Sequence, residues 1–293
     1  MEKPKFSAEG MAAWRAAGAL ERDEDVRNPD YLAAGFLGPK LSLIRRIPPL
    51  RRLAIRVYER LVPGGYYFHI ARTKHIDATL ERALAGGAQQ VVVLGAGYDT
   101  RAYRFQDSLE GVRVFEVDHP PTQERKRARL AKLLGALPEH VTYVPMDFHQ
   151  QRLEETLPAA GYDPDQMTSF IWEGVCMYLT PAAVDRILAF VVRHSRPESS
   201  IVFDYVYRCA IEGRCDHYGA AKGVRYVAKI GEPYLFGIEE GGAGGFLAKR
   251  GLRVVSHADP EELEQRYLIR NDGRLAGRVY GYVAIVHAAV APR

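Results

Sequence analysis

Between residues 90 and 206, five short apolar runs recur at helix-sized intervals. They are QVVVLG (90–95), VRVFEVD (112–118), VTYVPM (141–146), SFIWEG (169–174) and SIVFDYV (200–206). Near-continuous apolar runs are strands that must be covered on both faces. The stretches between them, such as 122–135 and 181–194, read as helices. Thr180-Pro181 is a helix start, with a capping hydroxyl followed by proline at the first helical position. Buried strands joined by helices form a parallel sheet with helices on both faces, an α/β fold. A chain of 293 residues suits one such domain, and no internal boundary is expected.

The flanks have other characters. Residues 7–36 alternate small apolar and charged residues, with a break at Asn28-Pro29. Residues 40–62 carry seven Lys/Arg and one Glu, and Pro48-Pro49 splits them before an amphipathic helix. Residues 1–65 are therefore expected to form a helical lid. A helix around 70–85 should end at Gly86-Gly87. Residues 66–206 form the expected cofactor-binding core and 207–250 a substrate-side insertion. Residues 251–293 hold edge strands at 253–258 and 278–290, expected to pair as an antiparallel hairpin.

The first apolar run leads into GAGYDT. Glycines let a backbone approach a ligand closely, and a following helix N-terminus is electropositive. The spacing Gly95-x-Gly97-x-x-Thr100 lacks the third glycine of a dinucleotide fingerprint. No phosphate-cradling G-x-x-x-x-G-K-[ST] loop is present. Asp118 ends the second run, about twenty residues on, where a carboxylate can accept two ribose hydroxyls. That suits both NAD and S-adenosylmethionine. Glu116 lies two residues earlier on the same strand face.

ARTKHID (71–77), VVVLGAGYDTRAYRF (91–105), FEVDHP (115–120), MDF (146–148) and IWEGVCMYLT (171–180) follow in that order. Together they resemble the leucine carboxyl methyltransferase-like family of S-adenosylmethionine-dependent enzymes, closest to its bacterial small-molecule O-methyltransferase branch. GEPYLFGI (231–238) and EQRYL (264–268) extend the likeness. The resemblance implies a Rossmann-like sheet of seven strands, mostly parallel with an antiparallel last strand. It implies S-adenosyl-L-methionine as cofactor and S-adenosyl-L-homocysteine as product. The implied acceptor is an oxygen, carboxylate or hydroxyl, of a small molecule, as in natural-product metabolism.

The resemblance also assigns roles. Arg72 would grip the methionine carboxylate, and Gly95, Ala96 and Gly97 would pass beside the methionine. Asp118 would hold the ribose and Asp147 the adenine amino group. Phe148 would donate its backbone N–H and cover the ring. Glu173 would lie near the methionine ammonium. Asp99 and Thr100 read as helix caps, Arg101 and Arg104 as structural ion pairs, and Tyr178 as core or pocket wall.

A carboxylate acceptor needs no base, whereas a hydroxyl usually does. His217, beside Tyr218 in the insertion, is the candidate base; His69, His75, His119 and His149 are others. The basic stretch from Lys40 to Arg60 is a solvated face or a gate for an anionic substrate. Rival readings are an NAD(P)-dependent oxidoreductase and a non-catalytic membrane-surface module. A net charge of +4 is too small to imply a nucleic-acid partner. No run is long enough to span a membrane, and the N-terminus lacks a signal-peptide core. Cys176, Cys209 and Cys215 match no zinc spacing, so no metal is expected. They read as reduced thiols of a cytoplasmic protein.

Overall fold

The computed structural model describes residues 6–148 and 150–292. His149 lies outside the described residues. The chain opens with α1 (Phe6–Gly18), a 3-10 turn (Tyr31–Phe36), α2 (Pro39–Arg46), α3 (Pro48–Leu61) and α4 (Gly65–Ala85). Strands and helices then alternate: β1 (Gln90–Leu94), α5 (Arg101–Arg104), β2 (Arg113–Asp118), α6 (Pro120–Leu134), β3 (Val141–Pro145), α7 (Leu153–Ala159), β4 (Thr168–Trp172), α8 (Pro181–Arg193) and β5 (Ser200–Val206). The remainder runs through α9 (Arg208–Ile211), α10 (Ala220–Lys229), α11 (Ala243–Ala248), β6 (Leu252–Ala258), α12 (Pro260–Tyr267) and β7 (Val283–Val290).

The seven strands form one sheet in the order β3-β2-β1-β4-β5-β7-β6. β1 to β5 pair in parallel, and β7 runs antiparallel to both neighbours. Every residue of β1, β4 and β5 is buried, as expected for strands covered on both faces. The chain leaves β1 toward β2 and β3, then crosses back to place β4 on the other side of β1. The strand order thus reverses at the carboxyl ends of β1 and β4, where open α/β sheets form their crevice.

Local chemistry explains the element ends. Pro48 and Pro49 open α3, and Pro120 and Pro121 open α6, at positions where a missing N–H leaves no hydrogen bond unmade. The Thr180 hydroxyl accepts from Ala183 N at 3.3 Å and caps α8. Two expectations need correction. The 253–258 and 278–290 segments do pair antiparallel, but α12 stands between them rather than a short hairpin turn. Asp259 caps that helix, accepting from Glu262 N at 2.8 Å. The last strand begins at Val283, and residues 278–282 instead bury Tyr280 and Tyr282 in the interior.

The N-terminal segment divides in two. Ala12, Ala16 and Ala17 of α1 are buried, and a side chain at Gly18 would press on Ile70 of α4. That helix is part of the core. α2 and α3 instead leave Lys40, Arg46, Arg52, Arg56 and Arg60 exposed, together with Leu43, Leu50, Leu53, Val57 and Leu61. These two helices thus present basic and apolar side chains together on the surface.

Candidate active site

β1 passes into Gly95, whose φ is +69°. A side chain there would also meet Val175 Cγ2 at 2.5 Å, so glycine is required. The loop is fastened to β2: Gly95 N and Ala96 N both donate to Val117 O, at 2.8 and 3.0 Å. Gly97 N donates to Asp118 Oδ2, and His119 N donates to Asp118 Oδ1 at 2.6 Å. Asp118 therefore stitches the glycine loop to the end of β2. A carboxylate has about four acceptor sites, so it retains capacity for hydroxyl donors. Burial raises its pKa, and the two amides only partly offset that.

The helix after the loop differs from expectation. α5 is a single turn, and its first amide, Arg101 N, is already bonded to Asp99 Oδ1 at 2.7 Å. Thr100 does not cap it; its hydroxyl donates to Asp30 Oδ1 at 2.7 Å. A one-turn helix with that amide spent offers little field to a pyrophosphate.

Charge gathers where β1, β4 and β5 end. Glu173, just past β4, places Oε1 3.0 Å from Arg72 Nε and Oε2 2.7 Å from Arg101 Nη1. The Arg72 contact is an ion pair whose angle is too poor for a hydrogen bond. Arg72 Nη1 donates to Asp204 Oδ2 at 2.8 Å, and Gly174 N donates to Asp204 Oδ1 at 2.6 Å. Arg101 also pairs with Asp99 and, at 2.7 Å, with Asp77 Oδ1. Arg104 grips both Asp77 oxygens, at 2.7 and 2.9 Å. Arg15 of α1 reaches Asp30 Oδ2 at 2.8 Å and Tyr98 O at 2.7 Å. Burial alone would raise the pKa of Glu173, but Arg72 and Arg101 outweigh it and hold the carboxyl well below the usual range.

In this network the guanidiniums of Arg15, Arg72, Arg101 and Arg104 face the carboxylates of Asp30, Asp77, Asp99, Glu173 and Asp204. One negative charge is left over, before Asp118 is added. The site thus suits a ligand with net positive charge beside the glycine loop. Around Arg72 stand the phenols of Tyr58 and Tyr280, buried, and of Tyr178 and Tyr234, half-buried, within reach of its field. Burial pushes all four up, Tyr234 to about 12.

The sequence-derived residues mostly converge. Arg72, Gly95, Ala96, Gly97, Asp118 and Glu173 lie at the carboxyl ends of β1, β2 and β4 or against them. Asp147 and Phe148 follow β3, one strand further out. The Met146 N to Asp118 O bond of 2.8 Å ties that segment to β2, and Phe148 is half-buried. Glu116 does not join the site: it is buried and lies 2.8 Å from Lys126 Nζ. The histidines have other partners. His69 Nε2 meets the Tyr58 hydroxyl at 3.1 Å, and His75 Nδ1 meets that of Tyr267 at 3.2 Å. His217 Nε2 lies 3.0 Å from Glu240 Oε2. His119 contacts Asp118 through its backbone.

Sequence reasoning missed Asp204. Asp204 carried a signal, since an acid inside the apolar run SIVFDYV must find a partner when the strand is buried. Arg101 forms structural ion pairs as expected, one of them with a Glu173 oxygen.

Residues 8–192 match the family model of leucine carboxyl methyltransferase. A Bacillus subtilis protein named "Putative S-adenosyl-L-methionine-dependent methyltransferase YktD" is 29% identical over 219 residues, covering 75% of this chain and 71% of that one. A Streptomyces coelicolor relative of the same description is 35% identical over 210 residues, 70% of each chain. A Mycobacterium tuberculosis relative is 37% identical over 141 residues, but this chain spans only 44% of its length. Among solved structures, magnesium protoporphyrin IX methyltransferase from Synechocystis aligns over 82% of this chain and 94% of that one, at 12% identity and TM-score 0.48. On the family match and the Streptomyces relative, the chain belongs to the leucine carboxyl methyltransferase family of S-adenosyl-L-methionine-dependent methyltransferases.

Proposed function

We propose that the chain transfers a methyl group from S-adenosyl-L-methionine to a carboxylate oxygen of a small molecule. The observation that carries this is the surplus negative charge of the buried network beside the glycine loop. S-adenosylmethionine bears an ammonium, a sulfonium and a carboxylate, one net positive charge. A dinucleotide bears two phosphates. Its pyrophosphate would meet the carboxylates of Asp99, Glu173 and Asp204 without a helix N-terminus to receive it.

The candidate residues lie along the sheet in a matching order. From β3 to β4 is three strand spacings, about 14 Å. In this reading Asp147 and Phe148 take the adenine end and Asp118 the ribose. Glu173 and Arg72 take the ammonium and carboxylate of the amino-acid end. Asp118→Asn is expected to weaken S-adenosylhomocysteine binding by about 1–3 kcal/mol. Titration calorimetry reads this directly; unchanged affinity would remove Asp118 from the site.

The bound cofactor supplies the activated methyl. The chain's residues align the two partners and exclude water. The choice of carboxylate over hydroxyl rests on acid–base chemistry: a carboxylate acceptor is ionised without help, whereas a hydroxyl usually needs a base. The tyrosines around Arg72 support an acceptor with an apolar body. Incubation with methyl-labelled cofactor and a panel of carboxylic acids and phenols tests the reading. Label lost as methanol in mild alkali is the expected result, because methyl esters hydrolyse there. Alkali-stable label on a phenol would overturn the carboxylate assignment.

A further inference from the structure

Cys209, Cys215 and His217 each bring one ligand atom to within 4.8 Å of the others. Their spacing in sequence gives no hint of this; the turn does it. α9 makes a single turn, and Gly213 then takes a φ of +66°, a left-handed conformation that reverses the chain. Arg214 N donates back to Cys209 O at 2.8 Å, so Cys215 returns beside Cys209. His217 follows two residues later, its ring edge-on to Tyr207 at 5.6 Å. All three side chains are half-buried, near enough to solvent to take up an ion.

We propose that these three side chains hold one borderline-soft divalent ion of the zinc class, with Glu240 orienting the imidazole and a fourth position left to solvent. Two thiolates bound to one tetrahedral ion at about 2.3 Å stand roughly 3.8 Å apart, within the observed cluster. Two sulfurs and an imidazole select zinc over magnesium or calcium, which take oxygen ligands. Glu240 Oε2 lies 3.0 Å from His217 Nε2, the carboxylate–histidine contact that fixes a metal-bound ring, so ligation falls to Nδ1. Uptake of each ion releases both thiol protons to solvent, leaving two thiolates and a neutral imidazole on the metal. The site clips the chain leaving β5 to the insertion that follows. Ile238, two residues before Glu240, already bridges Tyr207 there.

The test uses the full chain, reduced and stripped with a chelator, then titrated with Co²⁺ alone. The expected result is one equivalent bound, with a thiolate-to-cobalt charge-transfer band and the visible bands of a tetrahedral ion, both abolished by Zn²⁺. Cys209→Ser and Cys215→Ser are each expected to weaken binding on the order of 100-fold or more, and Glu240→Gln roughly 10–100-fold. Glu240 is exposed, so its variant carries the test should a cysteine variant fail to fold. No charge-transfer band in the reduced protein would overturn the proposal. So would a band that survives loss of both cysteines, or a Cys209–Cys215 disulfide as the pair's sole chemistry. Neither cofactor nor acceptor is needed, so this result stands apart from the methyl-transfer reading.

Discussion

Glu173→Gln is expected to destabilise the fold by about 3 kcal/mol and to weaken S-adenosylhomocysteine binding by roughly tenfold or more. The carboxylate sits between two buried guanidiniums and gives one oxygen to each. Glutamine keeps the shape and removes the charge. Arg72 retains Asp204, while Arg101 retains Asp77 and Asp99, so neither is left wholly unpaired. The expected cost therefore lies at the low end for a broken buried pair. In the proposed reading, the network also loses the charge that faces the cofactor's ammonium. Acid tests the same point. Folding depresses the Glu173 pKa, so its stabilisation is complete above the ordinary glutamate value of about 4.3 and is lost as pH falls below it. Urea midpoints should fall less steeply below that pH in the variant than in the wild type. Parallel acid profiles would show that Glu173 is not held by the arginines.

Lys126→Met is expected to cost about 3–5 kcal/mol, while Glu116→Leu/Lys126→Met together should cost about 1 kcal/mol or less. Glu116 and Lys126 are each 1% exposed and lie 2.8 Å apart, with the Tyr103 hydroxyl donating to Glu116 Oε1 at 3.0 Å. Removing the lysine strands a buried carboxylate. Removing both charges deletes a desolvation cost as well as an attraction. The cycle separates this structural pair from the candidate site residue Asp118, two positions along β2. Cofactor affinity should be unchanged in the double variant, although Glu116 lies on the same strand face as Asp118. A double variant as unstable as the single would show that the pair contributes more than charge compensation.

The parallel core was legible because burial on both faces leaves almost no freedom in the sequence. QVVVL, FIW and SIVFDYV admit little but strand, and glycines or prolines bracket them. The glycine loop was legible for the same kind of reason, since Gly95 occupies a conformation and a space that no other residue fits. Other features depend on contacts between distant positions. α12 was hidden inside a segment assumed to be a hairpin, although Asp259-Pro260 marks a helix start. α1 read as part of a lid, because the alternation of alanines with charges does not say that the alanines meet α4. The arginine–carboxylate network joins residues from α1, α4, α5, β5 and the loop after β4. Arg72, Asp77, Asp99, Arg101, Arg104 and Glu173 fall within recognisable motifs, whereas Arg15, Asp30 and Asp204 do not. Cys209, Cys215 and His217 meet through a reversal at Gly213 that no ligand spacing encodes.

Titration calorimetry of the purified chain with S-adenosylmethionine, S-adenosylhomocysteine and NAD(P) tests the central claim most directly. A net-negative buried network beside a glycine loop, without a pyrophosphate-binding helix, should bind the first two and leave NAD(P) unbound. Binding of NAD(P) with no heat from either sulfur nucleoside would contradict that account.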